Sequence, residues 1–343
     1  MTAAPAPETP APETPFPEAR LRATPKAELH VHLEGSVGAE TLLALAAAHG
    51  VEPPAADVEG IRAWYSFQDF PEFLERYFFV CRLLREREDF QRIAYDYLMT
   101  AHQQGAVHVE FHISSSYHTQ EVGLDWAVVL EGAVAGCEQA ERACGISSLL
   151  IPDISPHLGA AAAHKALDAV LAEPHPRVVA LGMGGPADRW WDEDFGAVYD
   201  RARDAGLQTV SHAGEHGPAK EVRHAVEVFG AQRIQHGITA VDDPAVVELL
   251  LARNIPCDVC PGSNLALKAV PDLASHPLAR MVEAGLTVTL GSDDPPLFHT
   301  DLLNEYRIAW EHAGLREDAL AELARNSITQ SFASPEAKER WLS

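Results

Sequence analysis

From residue 25 onward the chain alternates between short, almost wholly apolar runs and longer stretches whose apolar residues recur at helical spacing. Eight runs read as strands: Ala27–Leu33, Ala106–Ser114, Ser147–Ile154, Arg177–Met183, Leu207–His212, Arg233–His236, Ile255–Cys260 and Leu286–Leu290. Between them lie helical patterns such as Glu40–His49, Asp125–Cys144, Phe195–Ala205, Ala219–Phe229, Pro244–Arg253 and Pro277–Ala284. A strand that is apolar at nearly every position is buried on both faces, as parallel strands of α/β proteins are. Strands alternating with helices in this way close most simply into a (β/α)8 TIM barrel, with a doubly wound open sheet as the alternative. No G-x-G-x-x-G opens a helix after the first strand, which weakens a dinucleotide site.

Two segments stand outside the alternation. Residues 1–24 begin with an Ala/Pro/Glu/Thr repeat that has almost nothing to bury, and they read as a disordered or polyproline-like tail ahead of a barrel domain at 25–343. The segment from Leu42 to Gln104 holds more than one helix and carries Phe67, Phe70, Phe73, Tyr77, Phe78 and Phe79. These aromatics serve either helix packing or a lid over the barrel mouth that offers apolar contact to a planar ligand.

The chemistry is visible where polar residues interrupt apolar strands. His30 and His32 end the first strand, and period two puts both rings on one face. His212 ends the fifth strand, His236 the sixth, and Asp293 and Asp294 follow the eighth. In a barrel all these strand ends meet at one mouth. Three histidines and a carboxylate suit a borderline divalent ion such as zinc with a position left for water, which such an ion activates near neutral pH. His236 is placed to orient or deprotonate that water. Glu215, three residues beyond His212, can stay protonated if partly desolvated and donate to a ring nitrogen; its alternative role is a carboxylate at a helix N-terminus.

Composition narrows the partners. With 26 basic and 50 acidic residues the formal net charge is −24, which repels phosphate backbones and anionic membranes but not a neutral nucleoside. Five cysteines in 343 residues form no disulfide framework and point to a reducing, cytoplasmic compartment. No apolar run approaches a transmembrane length, no basic-then-apolar signal opens the chain, and oligomeric state is not legible. One decoy is discarded. Pro256-Cys257-Asp258-Val259-Cys260 and His108-Val109-Glu110 match the P-C-x-x-C and H-x-E forms of the cytidine-type zinc deaminases. They lie too far apart, and odd spacing turns Cys257 and Cys260 to opposite faces of a strand.

Five segments together carry a family resemblance: P-K-A-E-L-H-V-H-L-E-G-S (25–36), S-H-A-G-E (211–215), R-I-Q-H-G (233–237), V-C-P-G-S-N (259–264) and G-S-D-D-P-P (291–296). The chain resembles the adenosine deaminase branch of the amidohydrolase superfamily. The resemblance implies one zinc held by His30, His32, His212 and Asp293. It implies Glu215 as the acid protonating the purine ring nitrogen beside the amino-bearing carbon, and His236, with Asp293, as the residues that address the attacking water. It further implies Asp294 on the imidazole part of the purine, the Gly185 N–H on the other pyrimidine nitrogen, and Glu34 on a ribose hydroxyl, unless Glu34 sits in a salt-bridged loop.

Three departures bear on the rest of the substrate. Strand four reads A-L-G-M-G-G-P-A (180–187) where acidic residues are usual, His112 stands where Arg is common, and Pro152-Asp153 replaces a basic pair. The G-G-P of strand four and D-D-P-P-L-F-H-T-D-L-L-N-E-Y (293–306) are similar to the aminodeoxyfutalosine deaminases, whose adenine nucleoside bears a benzoate arm. The first substrate reading is adenosine or 2′-deoxyadenosine, converted to the 6-oxo product with loss of ammonia. The alternatives are aminodeoxyfutalosine, adenine or an N6-modified adenine, and, remotely, a catalytically silent metal-binding paralogue.

Overall fold

The apolar runs become eight parallel strands in chain order, each bonded to the next: β1 (Lys26–His32), β2 (Ala106–Ile113), β3 (Ser147–Ile154), β4 (Ala180–Met183), β5 (Gln208–Ala213), β6 (Arg233–His236), β7 (Cys257–Val259) and β8 (Val288–Leu290). The structure is a computed structural model that describes residues 15–185 and 194–343. The ring closes where Val31 bridges Asp293 in parallel. There the Asp293 N–H donates to the His30 carbonyl at 3.0 Å, and the His32 N–H donates to the Asp293 carbonyl at 2.8 Å. The architecture is the (β/α)8 barrel that the alternation predicts.

Several strands are shorter than their apolar runs. In the seventh, Pro256 has no N–H to give the ladder, and regular pairing begins at Cys257. The helical insertion between β1 and β2 comprises α2 (Ala39–His49), α3 (Val58–Tyr65), α4 (Phe70–Leu83) and α5 (Arg87–Gln103). Asp57 and Asp69 cap α3 and α4, accepting from Gly60 N at 2.8 Å and Glu72 N at 3.0 Å.

The tail boundary at residue 24 needs correction. Residues 1–14 lie outside the described part of the chain, but α1 (Glu18–Ala23) is an ordered helix with Leu21 buried. Arg22 pairs with Glu18 one turn away at 3.0 Å and donates to the Gln103 carbonyl at 3.0 Å. The Lys26 ammonium, fully buried, donates to the Leu21 and Gln104 carbonyls at 2.6 and 2.9 Å, tying α1 and the end of α5 to the start of the barrel.

The lower end of the barrel is held by charge. Arg233 is fully buried, with Nη2 2.7 Å from Glu110 Oε2 and Nε 2.6 Å from Asp258 Oδ2. The Phe332 ring lies 4.5 Å from its guanidinium carbon. The H-x-E residues His108 and Glu110 belong to this cluster rather than to the mouth, 3.3 Å from one another. Removing the cation strands two buried carboxylates, so Arg233→Leu is expected to cost about 3–5 kcal/mol of stability, read as a lower midpoint in urea unfolding.

Candidate active site

The barrel seam sets the first side chains. Closure brings Asp293 beside the His30–His32 pair, and His212 reaches the same point from the end of β5. Nε2 of His212 is 3.2 Å from that of His30 and 3.3 Å from that of His32. Asp293 Oδ1 is 3.4 Å from His30 Nε2 and 3.3 Å from His32 Nε2. Donors at about 2.0–2.1 Å from a tetrahedrally coordinated zinc lie roughly 3.3–3.4 Å apart, so this donor set fits an ion of that size. His236 groups with His30, His212 and Asp293 within a wider 4.8 Å limit. Its Nε2, however, faces the other Asp293 oxygen, Oδ2, at 3.8 Å, and Glu215 at 3.6 Å, which sets it beside the tighter set rather than in it.

The rings are oriented from behind. His30 Nδ1 donates to the Asp258 carbonyl at 2.9 Å and His212 Nδ1 to the Met183 carbonyl at 2.7 Å, which leaves each Nε2 lone pair facing the centre. Cys260 Sγ lies 3.3 Å from His30 Nδ1, packed against the back of that ring. Asp293 and His236 both hold the left-handed backbone conformation, φ 62° and 63°, that side-chain-bearing residues rarely adopt. Asp293 is kept there by the seam hydrogen bonds and by the Ser263 hydroxyl, 2.5 Å from Oδ2.

Asn264 organises the acid–base side. Its amide Nδ2 donates to His236 Nδ1 at 3.1 Å and to Glu215 Oε1 at 3.3 Å, while its Oδ1 meets His276 Nε2 at 3.1 Å. With Nδ1 accepting, a neutral His236 carries its proton on Nε2 and presents a donor to the centre. Burial and the nearby Asp293 carboxylate push the Glu215 carboxyl up to about 8, so Glu215 can hold a proton at neutral pH. Burial and Asp293 likewise raise the Asp294 carboxyl well above the usual range. Its Oδ1 has no hydrogen-bond partner among the described residues.

A cavity of about 450 Å³ opens over these groups. His32, His212, Glu215, His236, Asp293 and Asp294 line it, and Gly185, with φ 97°, lies on its wall. Phe70, Phe73, Tyr77 and Phe78 of α4 line it too, whereas Phe67 packs on Phe298 and Phe79 on Trp64. The aromatic cluster of the insertion therefore divides between lining the cavity and packing helices. Glu34 does not line the cavity. It is fully buried, accepting from His118 Nε2 at 2.8 Å, the Ser114 N–H at 2.9 Å and the Tyr77 hydroxyl at 3.2 Å. These partners place Glu34 in the loop arrangement that was its alternative to a ribose contact. Sequence reasoning gave no role to Asn264 or Ser263, although the P-G-S-N motif contains both, and none to Asp153, which lines the cavity.

The family follows from this site and from comparison. A family model described as adenosine deaminase matches residues 25–343. The chain belongs to the adenosine deaminase family. The adenine deaminase of Rhodospirillum rubrum is 38% identical over 93% of this chain and 95% of its own length. That of Pseudomonas fluorescens is 36% identical over 92% and 99%. The crystal structure of an adenine deaminase from Arthrobacter aurescens superposes with a TM-score of 0.87 at 35% identity, covering 93% of this chain and 97% of that one. A zinc-bound amidohydrolase from Burkholderia ambifaria does so with a TM-score of 0.87 at 29% identity, over 95% and 90%. As a member of the adenosine deaminase family the protein is a metal-dependent hydrolytic deaminase of small purine substrates. No helix among the described residues is long and apolar enough to cross a membrane.

Asp294 reaches the cavity because residue 35 is glycine: a Cβ there would lie 1.7 Å from Asp294 Oδ1. Displacing a catalytic-site group by about an ångström costs on the order of 100-fold in rate. Gly35→Ala is expected to lose kcat/KM on that scale while bound metal, measured by elemental analysis, stays at the wild-type level.

Proposed function

We propose that the protein binds one zinc through His30, His32, His212 and Asp293 and removes the 6-amino group from an adenine ring carried on a longer molecule of the aminodeoxyfutalosine kind. The observation that carries this reading is the size and the aromatic lining of the cavity. About 450 Å³ is the scale of sites that enclose a drug-sized ligand. A bicyclic base held between Glu215 and Asp294 leaves Phe70, Phe73, Phe78, Pro156 and Leu267 of the cavity lining to another group. Flat apolar surfaces of that kind suit a second aromatic ring. The G-G-P and D-D-P-P-L-F-H-T-D-L-L-N-E-Y segments support the same substrate, and Glu34, withdrawn from the cavity, offers nothing to a simple ribose.

In this reading zinc supplies Lewis-acid activation of the attacking water. The protein's own groups do the rest. His236 donates through Nε2 to the attacking oxygen and holds its direction. Glu215, protonated, gives its proton to the ring nitrogen beside the amino-bearing carbon. A protonated Asp294 donates to the acceptor nitrogen of the imidazole ring, and the Gly185 N–H donates to the far pyrimidine nitrogen. Water adds at the carbon bearing the amine and loses both protons, one restoring the proton that Glu215 gave and one going to the departing amine; the C–N bond breaks, ammonia leaves, and a 6-oxopurine remains. Free adenine is the second reading, favoured by the relatives, which are named adenine deaminases and match along nearly their full length. Adenosine as the preferred substrate gives way to both.

A substrate panel separates them. Formation of the 6-oxopurine product from aminodeoxyfutalosine, adenine, N6-methyladenine, adenosine and 2′-deoxyadenosine is expected to give the highest kcat/KM for aminodeoxyfutalosine by about tenfold or more, roughly 1.4 kcal/mol of transition-state binding. Adenine as the best substrate would transfer the assignment to the second reading. Glu215→Gln is expected to keep its zinc and lose about 10²–10⁴-fold in kcat; a near wild-type rate removes Glu215 as the acid.

A further inference from the structure

We infer that Asp153 is a positioning residue for the metal centre, anchoring the one imidazole of the donor set whose Nδ1 meets no backbone carbonyl among the described residues. The inference rests on the donor set proposed above. His30 and His212 each give Nδ1–H to a main-chain carbonyl, of Asp258 and Met183. His32 is different: its Nδ1 faces a carboxylate oxygen, Asp153 Oδ2, at 3.7 Å. A metal-bound imidazole nearly always gives its second N–H to a carbonyl, a carboxylate or a water, and that partner fixes the ring and raises its basicity.

The strand register explains how a residue on β3 serves a ligand on β1. His32 pairs across with His112 on β2, and Asp153 on β3 pairs across with Gly182 on β4. Asp153 is almost wholly buried. His112 Nδ1 donates to its two oxygens at 2.9 and 3.1 Å. His112 Nε2 then accepts from Gln235 Nε2 at 3.4 Å, so His112 is neutral and has one N–H, which is spent on Asp153. The same carboxylate also faces His32, with Oδ2 3.7 Å from Nδ1. Its place exists only because residue 182 has no side chain: a Cβ there would lie 1.9 Å from Asp153 Oδ1. His112, Asp153 and the glycine of strand four, three separate departures along the chain, form one unit in space.

Asp153 also lines the cavity, so direct contact with substrate is the rival role. The two roles separate on metal affinity. In Asp153→Asn, zinc affinity measured by chelator competition is expected to fall about 10–100-fold. The visible absorption bands of the cobalt(II)-substituted protein shift, and kcat falls while KM stays within about twofold. His112→Asn and Gly182→Ala are expected to move metal affinity in the same direction, and His112→Asn gives the same readouts if Asp153→Asn does not fold. Unchanged zinc affinity and an unchanged cobalt spectrum in Asp153→Asn overturn the inference. So does a KM raised more than about tenfold with metal affinity intact, which makes Asp153 a substrate contact. His32→Asn is the control. If it keeps wild-type zinc affinity, the donor set itself is wrong, a result distinct from a silent Asp153→Asn beside a zinc-free His32→Asn.

Discussion

Everything at the mouth depends on how the barrel closes. The last strand does not pair with the first along its own length. Closure is made by the residue beyond it, through two backbone hydrogen bonds that bracket Asp293 between His30 and His32. The same residue must then turn its carboxylate inward, which its left-handed backbone permits and which the seam and Ser263 enforce. A loop would have to fix this geometry by ordering its own chain, at a cost in conformational entropy. Here the barrel supplies it, because a closed sheet has no free edge and no freedom of register at the seam.

Around that seam the protein concentrates groups that are costly to bury. His30, His32, His236, Asp293 and Asp294 are almost fully enclosed, and burial alone disfavours their charged forms. The structure divides the problem by direction. The His30 and His212 imidazoles are oriented by carbonyls from outside the ring of strands, leaving their Nε2 atoms inside. Glu215 and Asp294, pushed upward by burial and by Asp293, can carry protons, which a base rich in acceptor nitrogens requires of its partners. Proton donors and a metal-binding donor set thus coexist because Asp293 takes the negative charge for the site and its neighbours are driven away from it.

The fold was legible because its signal is periodic. β3 and β6 have the bounds that their apolar runs predict, and Asp125, at the predicted start of a helix, is its cap. The convergence of His30, His32, His212, His236, Asp293 and Asp294 was legible because each ends a strand or directly follows one, and strand ends of a barrel share a mouth. Other features were not, for physical reasons. The helix at Glu18–Ala23 depends on one buried leucine and on ion pairs to distant residues, too little for a periodic signal. The place of Glu34 depends on His118 and Ser114, which come from beyond a four-helix insertion. The service of Asn264 to both Glu215 and His236 depends on a short helix that begins after Cys260 and has no strand register to announce it.

The lining of the cavity comes from different parts of the chain, and this bears on what can diverge. His32, His212, Glu215, His236, Asp293 and Asp294 stand at or just beyond strand termini, where a shift of one residue breaks a ladder and flips a side chain. The aromatic part of the lining comes largely from α4, which is anchored by its own cap and packed through Phe73, Tyr77 and Val80. Phe70 and Phe78 can change in size without touching the seam, whereas Tyr77 hydrogen-bonds Glu34 and its ring centroid lies 6.2 Å from that of His32. Asp153 lies on the cavity wall and also faces His32, so a change made there for substrate would be felt at the metal.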